Sequence, residues 1–86
     1  MTPADVLRDI RGYARAGRVR FSGHARDRMN ERGATEQDVI TACTYATKCS
    51  RGDRPGRWRV EGPDLDGDAL SVVAVIEGGV VVITVF

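Results

Sequence analysis

The sequence predicts an α+β fold in which N-terminal helices pack on a small, mainly antiparallel sheet, in the order α-β-α-α-β-β-β. Three observations carry this. Apolar residues recur at helical spacing in the first half of the chain; from Arg57 onward they alternate with period two or run as Val and Ile; and glycines stand at the joins. With 86 residues, 42% hydrophobic and 29% charged, residues 1–86 read as a single domain. A chain this short buries only about 60–65% of its unfolded surface, so its core is thin.

Thr2, Pro3 and Asp5 read as N-cap, first helical residue and acidic third position. The helix they open buries Val6, Leu7, Ile10, Tyr13 and Ala14 and ends near Ala16, with Gly17 as a left-handed cap. A short strand follows in Arg18–Ser22, Val19 and Phe21 inward and the arginines outward. Ser22 caps a second helix from Gly23 to about Arg32, and Gly33 stops it. Thr35 and Asp38 form an acidic capping box for a third helix, predicted to run to about Lys48 with Val39, Ile40, Cys43 and Ala46 on its core face. Ser50–Gly56 reads as a polar loop. Trp58 and Val60 alternate with Arg57, Arg59 and Glu61 in a strand with Trp58 as core anchor, and Gly62–Gly67 reads as a turn. Asp68–Glu77 is a Val-rich strand, Gly78-Gly79 a hairpin, and Val80–Phe86 a final strand. That last strand carries no charged gatekeeper at its end and reads as an edge open to a partner's strand or a second copy.

No apolar run approaches the ~20 residues of a membrane span, and the first residues are amphipathic rather than a signal segment. Two cysteines make neither a disulfide framework nor a zinc set: Cys43 and Cys49 lie about 240° apart on a helix. A cytoplasmic protein with no metal and no cofactor is expected. The charge is uneven. Residues 1–60 hold 13 bases against 7 acids, a balance of +6, and residues 61–86 hold 5 acids and no base. Twelve of the bases are Arg, whose planar fork fits phosphate and carboxylate, so a polyanion partner is indicated. A GC-rich genome would give the same arginine bias, so placement decides.

The only histidine lies in Gly23–Gly33. On a helix, His24, Arg28 and Arg32 fall at about 0°, 40° and 80°, one stripe of an imidazole and two guanidinium groups. Such groups repel at this spacing unless an anion sits over them, and a phosphate there would also meet the free N–H groups of residues 23–25. The structural alternative is that Glu31 neutralises Arg28, a strand acid pairs with Arg32, and His24 bonds a carbonyl.

Residues 22–39, SGHARDRMNERGATEQDV, resemble the Ser/Thr-x-His-Ala-x-x-Arg-Met-x-x-Arg-Gly motif of a family of small prokaryotic proteins of unassigned function. A helix and three strands ending in Val-Ile-Thr-Val-aromatic extend the likeness to most of the chain. That family is similar to the RelE, BrnT and MqsR-type toxins of toxin–antitoxin pairs, compact α+β ribonucleases. The resemblance implies a RelE-like fold, a family position for His24, Arg28 and Arg32, and a cognate antitoxin of zinc-finger or helix-turn-helix type. Toxin residues on the strands do not align by motif. Ala34 stands where many relatives have Ile, which loosens packing between the two motif helices.

The activity so implied is metal-independent RNA cleavage within a type II toxin–antitoxin pair, on RNA that includes ribosome-associated mRNA. Cleavage by the 2′-hydroxyl needs a base, cations for the phosphorane and an acid for the leaving oxygen. His24 serves as base or acid, and the second group comes from Glu61, Tyr45 or water. Arg28 and Arg32 clamp phosphate, and Arg26, Arg57 and Arg59 bind the nucleic-acid backbone, with Arg28, Arg32, Arg57 and Arg59 expected on one basic surface. A silencing partner would place acids over His24, Arg28 and Arg32. The alternative is a non-catalytic binding module. Residues 23–47 have helix-turn-helix shape, but the second helix carries Glu36 and Asp38 where a DNA-reading helix needs donors; an inactive toxin-like fold would bind antitoxin or another protein through the acidic C-terminal sheet.

Overall fold

Local capping chemistry sets where each helix starts in the computed structural model, which describes residues 1–86. Helix α1 (Pro3–Arg15) opens with a reciprocal cap, in which the Thr2 hydroxyl accepts the Asp5 N–H and the Asp5 carboxylate accepts the Thr2 N–H, both at 3.2 Å. It ends at Ala16, and Gly17 turns the chain at φ +74° into strand β1 (Val19–Phe21). The Ser22 hydroxyl accepts the Ala25 N–H at 3.0 Å and starts α2 (Gly23–Arg32), which Gly33 closes. Thr35 and Asp38 repeat the reciprocal cap for α3 (Glu36–Thr44). Four strands follow: β2 (Lys48–Arg51), β3 (Trp58–Pro63), β4 (Ala69–Ile76) and β5 (Val80–Val85).

The strands form one sheet in the order β1-β5-β4-β3-β2, antiparallel throughout except for the parallel pair β1 and β5. Three helices cover one face, so the fold is the expected α+β class. Val6, Ile10 and Ala14 of α1, Ala25 and Met29 of α2, and Val39, Ala42 and Cys43 of α3 meet Trp58, Val60, Leu70, Val72, Ala74, Val80, Val82 and Val85 in one buried cluster. Helix α3 lies so close to β3 that a Cβ at Gly62 would overlap the carbonyl oxygen of Ala42. Arg11 ties α1 to the end of α3 by donating Nε at 2.8 Å, and its terminal nitrogen at 2.6 Å, to the Ala46 carbonyl.

The structure corrects the expected elements in four places. Helix α3 stops at Thr44 instead of Lys48, because the next residues gain more by pairing: Thr47 donates its N–H to the Glu61 carbonyl at 2.8 Å and residues 48–51 pair with residues 58–61 of β3. The segment expected as loop from Ser50 thus begins inside an additional strand. Strand β3 runs through Pro63, so the turn is shifted to Asp64–Asp68, where the Asp64 carboxylate accepts the N–H groups of Asp66 and Asp68, both at 2.9 Å. Finally, β5 is not an edge: β1 pairs with its outer side, and the sheet edges are β1 and β2. An edge-on strand from a partner would therefore have to meet β1 or the charged β2.

One irregularity decides what the uncovered face presents. Val73 pairs with Thr84 and Ala74 with Val82, leaving Ile83 as an extra residue in β5. Across this bulge the alternation changes phase, so Val80, Val82 and Val85 point to the helices while Thr84 and Phe86 point away.

Candidate functional site

Helix α2 holds the His/Arg stripe, and its core contacts orient it. Ala25 and Met29 face the core, which leaves His24 and Arg32 exposed and Arg28 half-buried. The His24 side chain has no hydrogen-bond partner within the chain, and the N–H groups of Gly23 and His24 at the helix start are also free. The Arg28 Nε is buried without a hydrogen bond, its nearest carboxylate oxygen being Glu31 Oε2 at 3.7 Å. That pair is long and its carboxylate lies in solvent, so it is worth under about 1 kcal/mol and Glu31 only partly answers the charge. No acid pairs with Arg32. Arg26 lies about 200° round the helix from Arg28. It bonds Glu36 at 2.8 Å and covers the Phe21 ring at 5.4 Å, which ties α2 to α3 and β1.

A second basic cluster lies on the uncovered face of the sheet. Strand register builds a row of Ser50, Arg59, Val73 and Thr84 across β2, β3, β4 and β5. Arg59, Val73 and Thr84 of this row, with Arg51, Gly52, Asp53, Arg57 and Phe86, line a cavity of about 330 Å³. The Arg59 guanidinium lies over the Phe86 ring, 4.4 Å from its centre. Arg51 is committed elsewhere, stacked 5.0 Å over Trp58 and donating to the Met1 carbonyl at 3.1 Å. Arg57 and Arg59 form no ion pair; the pairs present involve Arg8, Arg26, Arg28 and Lys48.

The expected single surface of Arg28, Arg32, Arg57 and Arg59 is not formed. Helix α2 packs on the covered face and gives no residue to the cavity, whereas Arg59 projects from the opposite face because its neighbours Trp58 and Val60 are buried under the helices. Glu61 sits on the open face, 3.8 Å from Lys48, and Tyr45 is exposed at the end of α3; neither bonds His24. Burial alone pushes the Cys43 thiol up to about 12, and it also raises the half-buried Cys49. Trp58 is buried, as its alternation with Val60 predicts.

A family described as a domain of unknown function, DUF4258, matches residues 21–86. The chain belongs to the DUF4258 family. No curated protein and no solved structure matches it. The DUF4258 match takes in α2, α3 and the four later strands, so both basic clusters lie inside it, while α1 lies outside although it gives Val6, Ile10 and Ala14 to the core. Within this DUF4258 domain, sequence reasoning missed Phe86 and Asp53 as cavity residues. Simple alternation puts Phe86 on the same face as Val80 and Val82, and only the bulge at Ile83 moves it to the other.

Proposed function

We propose that this DUF4258 domain acts on RNA as a toxin-like, metal-independent endoribonuclease. The observation that carries the reading is the α2 stripe: an exposed histidine with no partner in the chain, followed at one-turn intervals by two arginines that no strong ion pair neutralises. His24 moves the proton of the 2′-hydroxyl or of the leaving 5′-oxygen, with water as the other carrier, since neither Glu61 nor Tyr45 bonds it. Arg28 and Arg32 hold the phosphate and stabilise charge on the phosphorane, and the free N–H groups at the start of α2 add to the same field. RNA and a silencing antitoxin are the partners in this reading, the latter covering the same stripe with acidic side chains.

The test is cleavage of single-stranded RNA by the purified chain with a chelator present. The wild type should leave 2′,3′-cyclic phosphate ends, and His24→Ala should lose at least about 100-fold in rate while keeping its circular dichroism and melting temperature. Equal rates for mutant and wild type remove His24 from the chemistry. A second reading, a non-catalytic nucleic-acid-binding module, is favoured by one observation: Arg57 and Arg59 line their cavity on the side of the sheet away from His24. A wild type that binds RNA without cutting it selects that reading.

A further inference from the structure

We infer that the cavity on the open face of the sheet is a subsite for one nucleotide of single-stranded RNA, with Phe86 as the platform for the base and Arg59 as a cover that exchanges the ring for a phosphate. This rests on the reading of RNA as the ligand and adds a location and a mode of binding that the α2 stripe does not supply.

The argument starts from the walls. Arg57 and Arg59 stand against one acid, Asp53, and neither guanidinium has a carboxylate partner, while that of Arg51 is held over Trp58, so the wall favours an anion. An anion alone does not account for Phe86. The bulge in β5 turns this ring to the face away from the core, and a cation is its cover. At about 330 Å³ the space lies at the lower end of the range in which proteins hold small ligands, about 300–1,000 Å³, and it suits a single nucleotide unit. Thr84 adds a hydroxyl and Val73 an apolar patch to the same floor.

The ligand is a strand and not a free nucleotide, because the space does not end at Arg59. Lys48, Ser50, Arg59 and Glu61 line a second cavity of about 330 Å³ on the β2 side, and Arg59 is the wall common to both. A guanidinium at such a boundary is placed to hold the phosphate that links two nucleotides. Without ligand, Arg59 rests on the Phe86 ring. A base stacked on a ring is a stronger contact than an exposed cation–ring pair, and a guanidinium on a phosphate is stronger than the same group on a ring. Both halves of the exchange therefore favour the bound state.

The experiment measures binding of a fluorescent, fully 2′-O-methylated single-stranded oligonucleotide, which the 2′-hydroxyl route cannot cut, and of an abasic strand of the same length. Phe86→Leu keeps an apolar side chain of similar reach and should weaken the base-bearing strand by about tenfold while leaving the abasic strand unchanged. Arg59→Ala should weaken both strands and lower the slope of log affinity against log salt by about 0.7. If Phe86→Leu does not fold, Thr84→Leu, which narrows the space from the open face without adding a ring, takes its place and should weaken the base-bearing strand. Wild-type affinity in the folded Phe86 and Arg59 variants overturns the subsite and leaves the RNA reading to α2. Absence of any binding by the wild type overturns both.

Discussion

On the helix-covered face, Val60, Val72 and Val85 stand side by side across β3, β4 and β5, each no more than 1% exposed. One residue back along β3, on the other face, the row reads Arg59, Val73 and Thr84. The covered row answers to volume alone, since three helices bear on it and every fully buried side chain is apolar or Cys43. The open row answers to solvent, so it accepts charge, a hydroxyl and a ring stacked under a guanidinium. In a domain with so thin a core, one face of the sheet is spent on folding and the other is free for recognition.

Substitutions matched across the two faces should therefore differ sharply. The largest effect is expected at Gly62, where even a methyl group meets the Ala42 carbonyl and α3 would have to lift from β3. Gly62→Ala should cost about 3 kcal/mol or more, read as a lower urea midpoint or outright failure to fold. Stability close to wild type would mean that α3 yields easily and that the covered face is not closely packed.

The next effect isolates the faces with one residue type. Val60→Ala on the covered face should cost about 2 kcal/mol, and Val73→Ala on the open face less than about 1 kcal/mol, because only the first leaves a cavity under the helices. Chemical denaturation of both variants measures the difference. Equal losses would show that the open face is as closely packed as the covered one.

The smallest effect lies at a rim of the covered face and depends on pH. Asp38 accepts N–H groups from Thr35 at 2.9 Å and from Leu65 at 3.1 Å, and these bonds hold its carboxyl below the usual carboxylate range. Its folded pKa is depressed, so the stability it adds is present above the unfolded value of about 4 and is lost as pH falls through the folded one. Wild type should melt above Asp38→Asn near neutral pH, and the gap should close on acidification. A gap that stays constant down to about pH 3 would place the effect in something other than this ionisation.

How much of this could be read from the sequence follows from how local each determinant is. Thr2, Ser22 and Thr35 announce their helices because a cap is chemistry among four neighbouring residues, and the His24, Arg28 and Arg32 stripe follows once the bounds of α2 are right. Strand β2 was not legible: Lys48, Cys49, Ser50 and Arg51 have no apolar alternation, and only their pairing with β3 makes them a strand. The cavity was half legible. Arg57 and Arg59 stood out by charge, but their place opposite α2 depends on which face of β3 the helices choose, and Phe86 joins them only through a bulge that alternation does not foretell. The isolated position of His24 relative to Glu61 and Tyr45 is likewise a matter of tertiary placement.

The parallel pairing of β1 with β5 has a kinetic consequence. It joins residues 19–21 to residues 80–82, and the Ser22 hydroxyl that caps α2 also donates to the Ile83 carbonyl at 3.1 Å. The His24 helix thus has its seat on a strand that is made long after the helix itself. While the earlier strands are being made, α2 can form its turns but has no β5 to bury Ala25 and Met29 against. Contacts of such long sequence separation close slowly. The motif helix should accordingly gain its protection from hydrogen exchange in the final phase of refolding, after the β3–β4 hairpin, so that a nascent chain holds the His/Arg stripe unanchored until synthesis has passed β5.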